Sequence, residues 1–242
     1  MNRRAQLACL AGGPLLALSF LVGSILIGRF LPPFVAPGDS AQMVAQLYVQ
    51  RADFVRAGAF ITILGMTLLV PYATAIAVQF RRTEGGYPIL TYVQVATGAV
   101  CTSVVICMCM FWAVAAYRPG DTAPDVTRAL NDIAYFFFVF MFPPFSLWVL
   151  AIGAAILMHP DDGEPVYPRW VAYFNIWTAM LFIPAGMIAF FKRGPFAWNG
   201  ILALYMPLAV FFVWMAIMCV YTVRNVNRGA HYRGADAAPA IS

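Results

Sequence analysis

Residues 136–145 read FFFVFMFPPF. Six phenylalanines and two adjacent prolines sit inside an uncharged run over 133–158. That run exceeds the ~20 residues that carry a helix across ~30 Å of hydrocarbon at ~1.5 Å per residue. Five more uncharged stretches of comparable length lie at roughly 8–28, 57–80, 89–117, 171–191 and 200–223. Alternation of apolar and polar residues, the mark of a membrane barrel strand, is absent from them. The sequence predicts an all-α fold: a polytopic membrane bundle of six transmembrane helices, over about 8–30, 57–80, 89–117, 133–158, 170–191 and 200–223, several kinked by proline.

Composition agrees. The chain is 62% hydrophobic and 10% charged, where a soluble domain carries about 25% charged residues. The N-terminal MNRRAQLACLAGGPLLALSFLVG starts like a secretory signal, but its apolar run is long and no small-x-small cleavage site follows, so an uncleaved anchor is expected. Arg3, Arg4, Arg81, Arg82, Arg169, Arg224, Arg228 and Arg233 fall on one side of the predicted bundle. Arg29, Arg51, Arg56, Arg118, Arg128, Lys192 and Arg193 fall on the other. The excess on the first side, with Arg pairs flanking the first two helices, places both termini in the cytoplasm by the positive-inside rule. The expected location is a bacterial cytoplasmic (inner) membrane. A transmembrane domain is expected over 1–223 and an unstructured cytoplasmic tail over 224–242.

Between the first two helices, LPPFVAPGDSAQMVAQLYVQRADFVR (31–56) breaks at Pro32, Pro33, Pro37 and Gly38 and then turns helical, with Asp39 or Ser40 as cap. It reads either as an amphipathic helix on the membrane surface or as an extension of the second helix. In RPGDTAPDVTRALND (118–132), Asp125 begins a short helix, and HPDDGEPVYPR (159–169) reads as a solvated connector.

Much chemistry is hard to build from this chain. Its two histidines are His159, at a helix end, and His231, in the tail, so intramembrane haem or di-iron ligation is not expected. Lys192, the one lysine, also lies at a helix end, which disfavours a buried Schiff base. Cys9, Cys101, Cys107, Cys109 and Cys219 lack a redox-pair spacing and read as small buried hydrophobes. No acid stands clearly at bilayer depth, where an ionisable group signals function; Asp53 and Asp132 precede their helices. No cofactor, metal site or catalytic residue is expected. A clustered basic face for nucleic acid is also missing, and the net charge of +5 is spread over the helix flanks.

What remains is proline, aromatic rings and uncharged polar groups. Pro71, Pro143, Pro144, Pro184 and Pro207 fall within predicted helices. Each removes an N–H and displaces the carbonyl four residues earlier, which frees Thr67, Val139, Phe140, Met180 and Ala203. Lipid cannot hydrogen-bond these oxygens, so side chains, water or neighbouring helices must. Pro71, Tyr72, Tyr135, Pro143, Pro144, Asn175, Thr178, Pro184, Tyr205 and Pro207 form the candidate pocket. Kinks that only aid packing are the competing reading. Trp148, Trp177 and Trp214 are either walls of that pocket or lipid-facing, whereas Trp170 and Trp198 read as interfacial anchors. Prolines in TLLVPYATAIAV (67–78) and MLFIPAGMIAF (180–190) hold similar places in the second and fifth helices, as an inverted three-plus-three repeat would place them.

The motif YPRWVAYFNIWTAM (167–180), with Pro168-Arg169-Trp170 leading into the fifth helix, and the long loop after the first helix resemble a broad group of bacterial six-helix integral membrane proteins. That group carries no assigned catalytic residues, so the resemblance implies an architecture and no activity. The expectation is a non-enzymatic membrane protein. It binds a hydrophobic small molecule or lipid, or serves as an accessory subunit of a larger complex or homo-oligomer. The alternative is a small transporter or channel with a polar path along the kinked helices.

Overall fold

The computed structural model describes residues 2–81, 84, 87–158 and 166–236, without the side chains of 229–236. The connector at 159–165, the side chain of His231 and the last six residues lie outside the described residues. The chain forms an all-α bundle of six long apolar helices: α1 (Arg3–Ile27), α2 (Ala41–Ala77), α3 (Ile89–Ala115), α4 (Pro124–Leu157), α5 (Arg169–Ala189) and α6 (Ile201–Arg228). Large apolar side chains such as Phe60, Leu64 and Leu26 face outward over the spans, as a multi-pass protein in contact with lipid requires. Six crossings put both ends of the chain on one side, and there Arg3 donates to Asn227 Oδ1 from Nε (3.1 Å) and Nη2 (3.0 Å). That side is called the terminal end below, and the opposite one the far end.

Hydropathy located the lipid-embedded lengths, but the helices run past them because caps and prolines start them in water. Ser40 Oγ accepts from Met43 N–H at 3.3 Å, and α2 runs unbroken from Ala41 to Met66, so the stretch before the second span is an extension of it and not a separate surface helix. Pro124, at a first-turn position where its missing N–H costs nothing, joins the short helix expected after Asp125 to the fourth span. At the other end α6 continues as helix to Asp236. The tail expected to be unstructured from 224 is therefore helical there, held by Asn227 on Arg3 and by Asn225 Nδ2 on the Val166 carbonyl. Glu84 reaches back over the start of α3, its carboxylate accepting from Leu90 N–H and Thr91 Oγ1, both at 2.7 Å.

Small residues let α1 and α2 approach closely. A Cβ on Gly58 would stand 2.4 Å from Gly28 Cα and 2.5 Å from the Gly23 carbonyl oxygen. Beside this seam Ser24 and Thr62 hydroxyls bond at 3.0 Å. Without a hydrophobic drive between helices, such close contact is the main source of association in lipid.

At the far end the chain after α1 folds inward. Phe30, Leu31 and Val35 are buried, with Phe30 stacked on Trp112 at 4.2 Å and Tyr135 on Trp198 at 5.2 Å. Tyr135 Oη donates to the Phe30 carbonyl and Trp198 Nε1 to the Val35 carbonyl, each at 3.3 Å. Trp198, expected to anchor in the membrane interface, is instead enclosed beneath this lid, because Val35 supplies the acceptor its indole needs. Trp170 is half exposed at the start of α5.

Candidate functional site

The proline positions share a structural role. Pro143 and Pro144 fall in the first turn of a helical segment, Phe142–Leu157, that restarts after a π-helical stretch at Phe136–Phe140. Pro184 opens the 3₁₀ segment Ile183–Ala189. Pro207 is the second residue of the segment Met206–Asp236, after a π-helical stretch at Ile201–Tyr205. Pro71 lies in the first turn of Leu69–Ala77, after an interruption at 67–68. First-turn N–H groups have no intrahelical acceptor, so a proline there forfeits nothing. Two of the freed carbonyls are met within their own helix: Thr67 accepts from Val70 N–H at 3.4 Å, and Met180 accepts from Ile183 N–H. Val139 loses the donors four and five residues on, since both are prolines.

These interruptions gather around one cavity of about 100 Å³. Met66 and Leu69 border it from the break in α2, and Val139, Met141 and Phe142 from the break in α4, with Phe138 and Phe145 a turn to either side. Phe182 and Ala185 come from α5; Ala203, Leu204, Pro207, Leu208, Phe211 and Phe212 come from α6. Leu16 and Phe20 of α1 and Val105 of α3 close the ring. Just beyond Phe20, α1 turns π-helical over Leu21–Ile27, which no proline announces. On the α1–α6 side Phe20 and Phe212 meet at 5.3 Å between ring centroids, while Leu208, Phe211 and Phe212 are only partly buried.

Every side chain in this lining is apolar. Water needs two to four polar partners to occupy a cavity, whereas an apolar void of about 150 Å³ in another protein stays dry and takes up benzene or xenon. The site suits hydrocarbon and offers a polar solute no foothold.

Of the candidate pocket residues, Pro207 lines the cavity, and Pro143, Pro144 and Pro184 lie next to lining residues in the chain. Pro143 itself is exposed toward lipid. Tyr135 belongs to the lid, and Tyr205 lies between the lining residues Leu204 and Pro207 and is partly buried. Tyr72, Asn175 and Thr178 are buried nearer the terminal end. There Tyr72 Oη donates to the Met215 carbonyl at 2.6 Å, and Trp214 Nε1 donates to Asn175 Oδ1 at 2.8 Å. Asn175 Nδ2 in turn donates to the Val171 carbonyl at 2.7 Å. Further down, Tyr167 Oη bonds Thr222 Oγ1 at 2.7 Å; burial pushes the Tyr167 hydroxyl well above its ordinary pKa, so it serves as a neutral bonding group. Trp148 and Trp214 are wholly buried and Trp177 is 53% exposed.

Most of the cavity's aromatic lining residues come from FFFVFMFPPF and from 208–212, with Phe20 and Phe182 from α1 and α5, all apolar runs whose composition does not distinguish a wall residue from a lipid-facing one. Comparison with family models, with curated proteins and with solved structures gives no match to this chain.

Proposed function

We propose that this membrane protein binds the hydrocarbon part of a bilayer molecule, an acyl chain or a comparable apolar ligand, in the cavity where its helices restart. The wholly apolar lining at bilayer depth carries the reading. A molecule dissolved in the bilayer reaches the site from the side, between α1 and α6, where Leu208, Phe211 and Phe212 are only partly buried. Three of the polar groups that would have formed a transport path are bonded to backbone instead: Tyr72 to Met215, Tyr135 to Phe30, Ser146 Oγ to the Ala179 carbonyl at 3.3 Å. Binding without catalysis fits a cavity that presents neither an acid, a base nor a nucleophile.

The test is photolabelling in lipid nanodiscs that contain a phosphatidylcholine with a diazirine in its acyl chain. Labelled peptides are expected around Val139–Phe142 and Leu204–Leu208, in addition to lipid-facing positions such as Phe60 and Leu64, which are 65% and 58% exposed. Ala203→Leu, which places a branched alkyl group in the cavity, removes the first set and leaves the second. Labelling confined to lipid-facing positions refutes the proposal.

A further inference from the structure

We infer that the molecule held in the cavity carries one hydrogen-bonding oxygen, a hydroxyl or a carbonyl, that is anchored by Trp148 and Thr178; this rests on the cavity being a binding site. Phe145, Phe182 and Phe211 line the cavity from α4, α5 and α6. One helical turn closer to the terminal end on the same three helices, about 5 Å away, stand Trp148, Thr178 and Trp214, all wholly buried. Trp148 and Trp214 meet edge to face at 5.0 Å. The α4–α5 register places Thr178 opposite Trp148: Ser146 bonds the Ala179 carbonyl, and a Cβ on Gly153 would lie 3.2 Å from the Ala172 carbonyl oxygen.

Trp214 has its acceptor in Asn175. Trp148 Nε1 and Thr178 Oγ1 have no partner among the described residues. For a threonine in these helices that is an exception. Thr62, Thr67, Thr74, Thr97, Thr102 and Thr222 each donate to the carbonyl four residues earlier, the local bond that satisfies a hydroxyl in an apolar setting. Thr178 makes no such bond to Phe174.

A buried indole N–H and a buried hydroxyl left unpaired are costly and rare in native interiors. On facing helices they supply one fixed donor and one rotatable group that both donates and accepts, the complement of an oxygen with free lone pairs. A cation would find too few acceptors here, and a carboxylate would find no opposite charge. The ligand class is a hydrocarbon chain or ring system with a single neutral oxygen, such as a long-chain alcohol or ketone, with its apolar part in the cavity and its oxygen one turn below.

Two photoreactive reagents of equal length test this: a diazirine-bearing alkane and the matching diazirine-bearing fatty alcohol, incorporated in nanodiscs at equal concentration, with labelling normalised to exposed Leu64. For the wild type, cavity peptides should take up about fivefold more alcohol than alkane, the size of one or two net hydrogen bonds. Thr178→Val, of the same shape, should lower that ratio toward one with alkane labelling unchanged, and Thr178→Ser should keep the preference. A wild-type ratio near one overturns the anchor, with a bound water then filling its place, and leaves the apolar site standing. Equal loss of both reagents in Thr178→Val also overturns it, because Thr178 would then act only in packing. Failure of both reagents to label the wild-type cavity removes the binding site itself.

Discussion

Replacing Gln94 by methionine should stabilise the protein, although it deletes a buried polar residue. Gln94 is wholly buried on α3, and neither Oε1 nor Nε2 has a partner among the described residues. Its surroundings explain this. On the same face Thr91 Oγ1 lies 3.4 Å from the Ala77 carbonyl oxygen, and a Cβ on Gly98 would meet Ala73 Cβ at 2.7 Å, so Gln94 looks toward the alanine-rich end of α2. Leaving an amide unpaired in a protein interior costs about 1–3 kcal/mol. In a bilayer the separated helices carry the same amide into hydrocarbon, and interhelical hydrogen bonds there average only about 0.6 kcal/mol, so a gain of about 1 kcal/mol is expected. Methionine matches the unbranched shape and adapts to the space. Asn175→Leu is the contrast, since it strands Trp214 Nε1, and should cost about 1–2 kcal/mol by the same reasoning. Reversible unfolding in mixed detergent–SDS micelles, or steric trapping in bicelles, measures both. A loss of more than about 1 kcal/mol for Gln94→Met would refute the reasoning, because the amide would then have to be held by a ligand or by water.

Gly58→Ala drives a methyl group against three backbone atoms of Gly23 in α1 and Gly28 just after it, the farthest of them Gly28 N at 2.6 Å, so α1 must lift from α2. A loss of about 1–3 kcal/mol is expected, against no measurable change for Gly38→Ala, where nothing lies within 4 Å, both read as thermal unfolding in detergent. Glu84→Ala removes the acceptor for Leu90 N–H and Thr91 Oγ1 and should cost about 0.5–2 kcal/mol as other lost caps do. Hydrogen exchange at the start of α3 should rise with it. Ser24→Ala should cost well under 1 kcal/mol, since Thr62 keeps its bond to the Gly58 carbonyl at 2.8 Å; a loss as large as that of Gly58→Ala would show that hydroxyls rather than close approach hold the seam.

The six spans were legible because crossing hydrocarbon demands length and apolarity, and both are visible in a string of letters. Helix ends were less legible. Ser40 and Pro124 start α2 and α4 well outside the apolar runs, where hydropathy is silent and capping chemistry decides. The cavity was hidden for a different reason. In a soluble helix the buried face differs from the exposed one, but lipid and core are both apolar, so Phe138 and Phe145 on the wall look like Phe136 and Phe140 toward the lipid. Polar residues stood out instead, which drew attention to Tyr72, Tyr135 and Asn175, groups that bond backbone and indole around the cavity. The prolines at 71, 143, 144, 184 and 207 each lie in the first turn of a restarted segment, yet the π-helical stretch in α1 has no such marker.

The two prolines of FFFVFMFPPF can now be connected with an energy. Where α2, α4, α5 and α6 all restart, ridges of side chains lose the regular spacing that lets neighbouring helices interdigitate, and stiff phenyl rings fill the resulting gap poorly. At about 24 cal/mol per Å³ for an unfilled cavity, a void of about 100 Å³ costs about 2 kcal/mol. Transfer from lipid to protein gains a hydrocarbon guest almost nothing by the hydrophobic effect, because both media are apolar. Recovery of the void energy is then the main source of affinity for an apolar ligand, a preference of roughly 30-fold over the surrounding lipid at 1.4 kcal/mol per factor of ten. That is modest, and a polar anchor below the cavity is the one feature able to raise it and to select one bilayer molecule from the many hydrocarbon chains that surround the bundle.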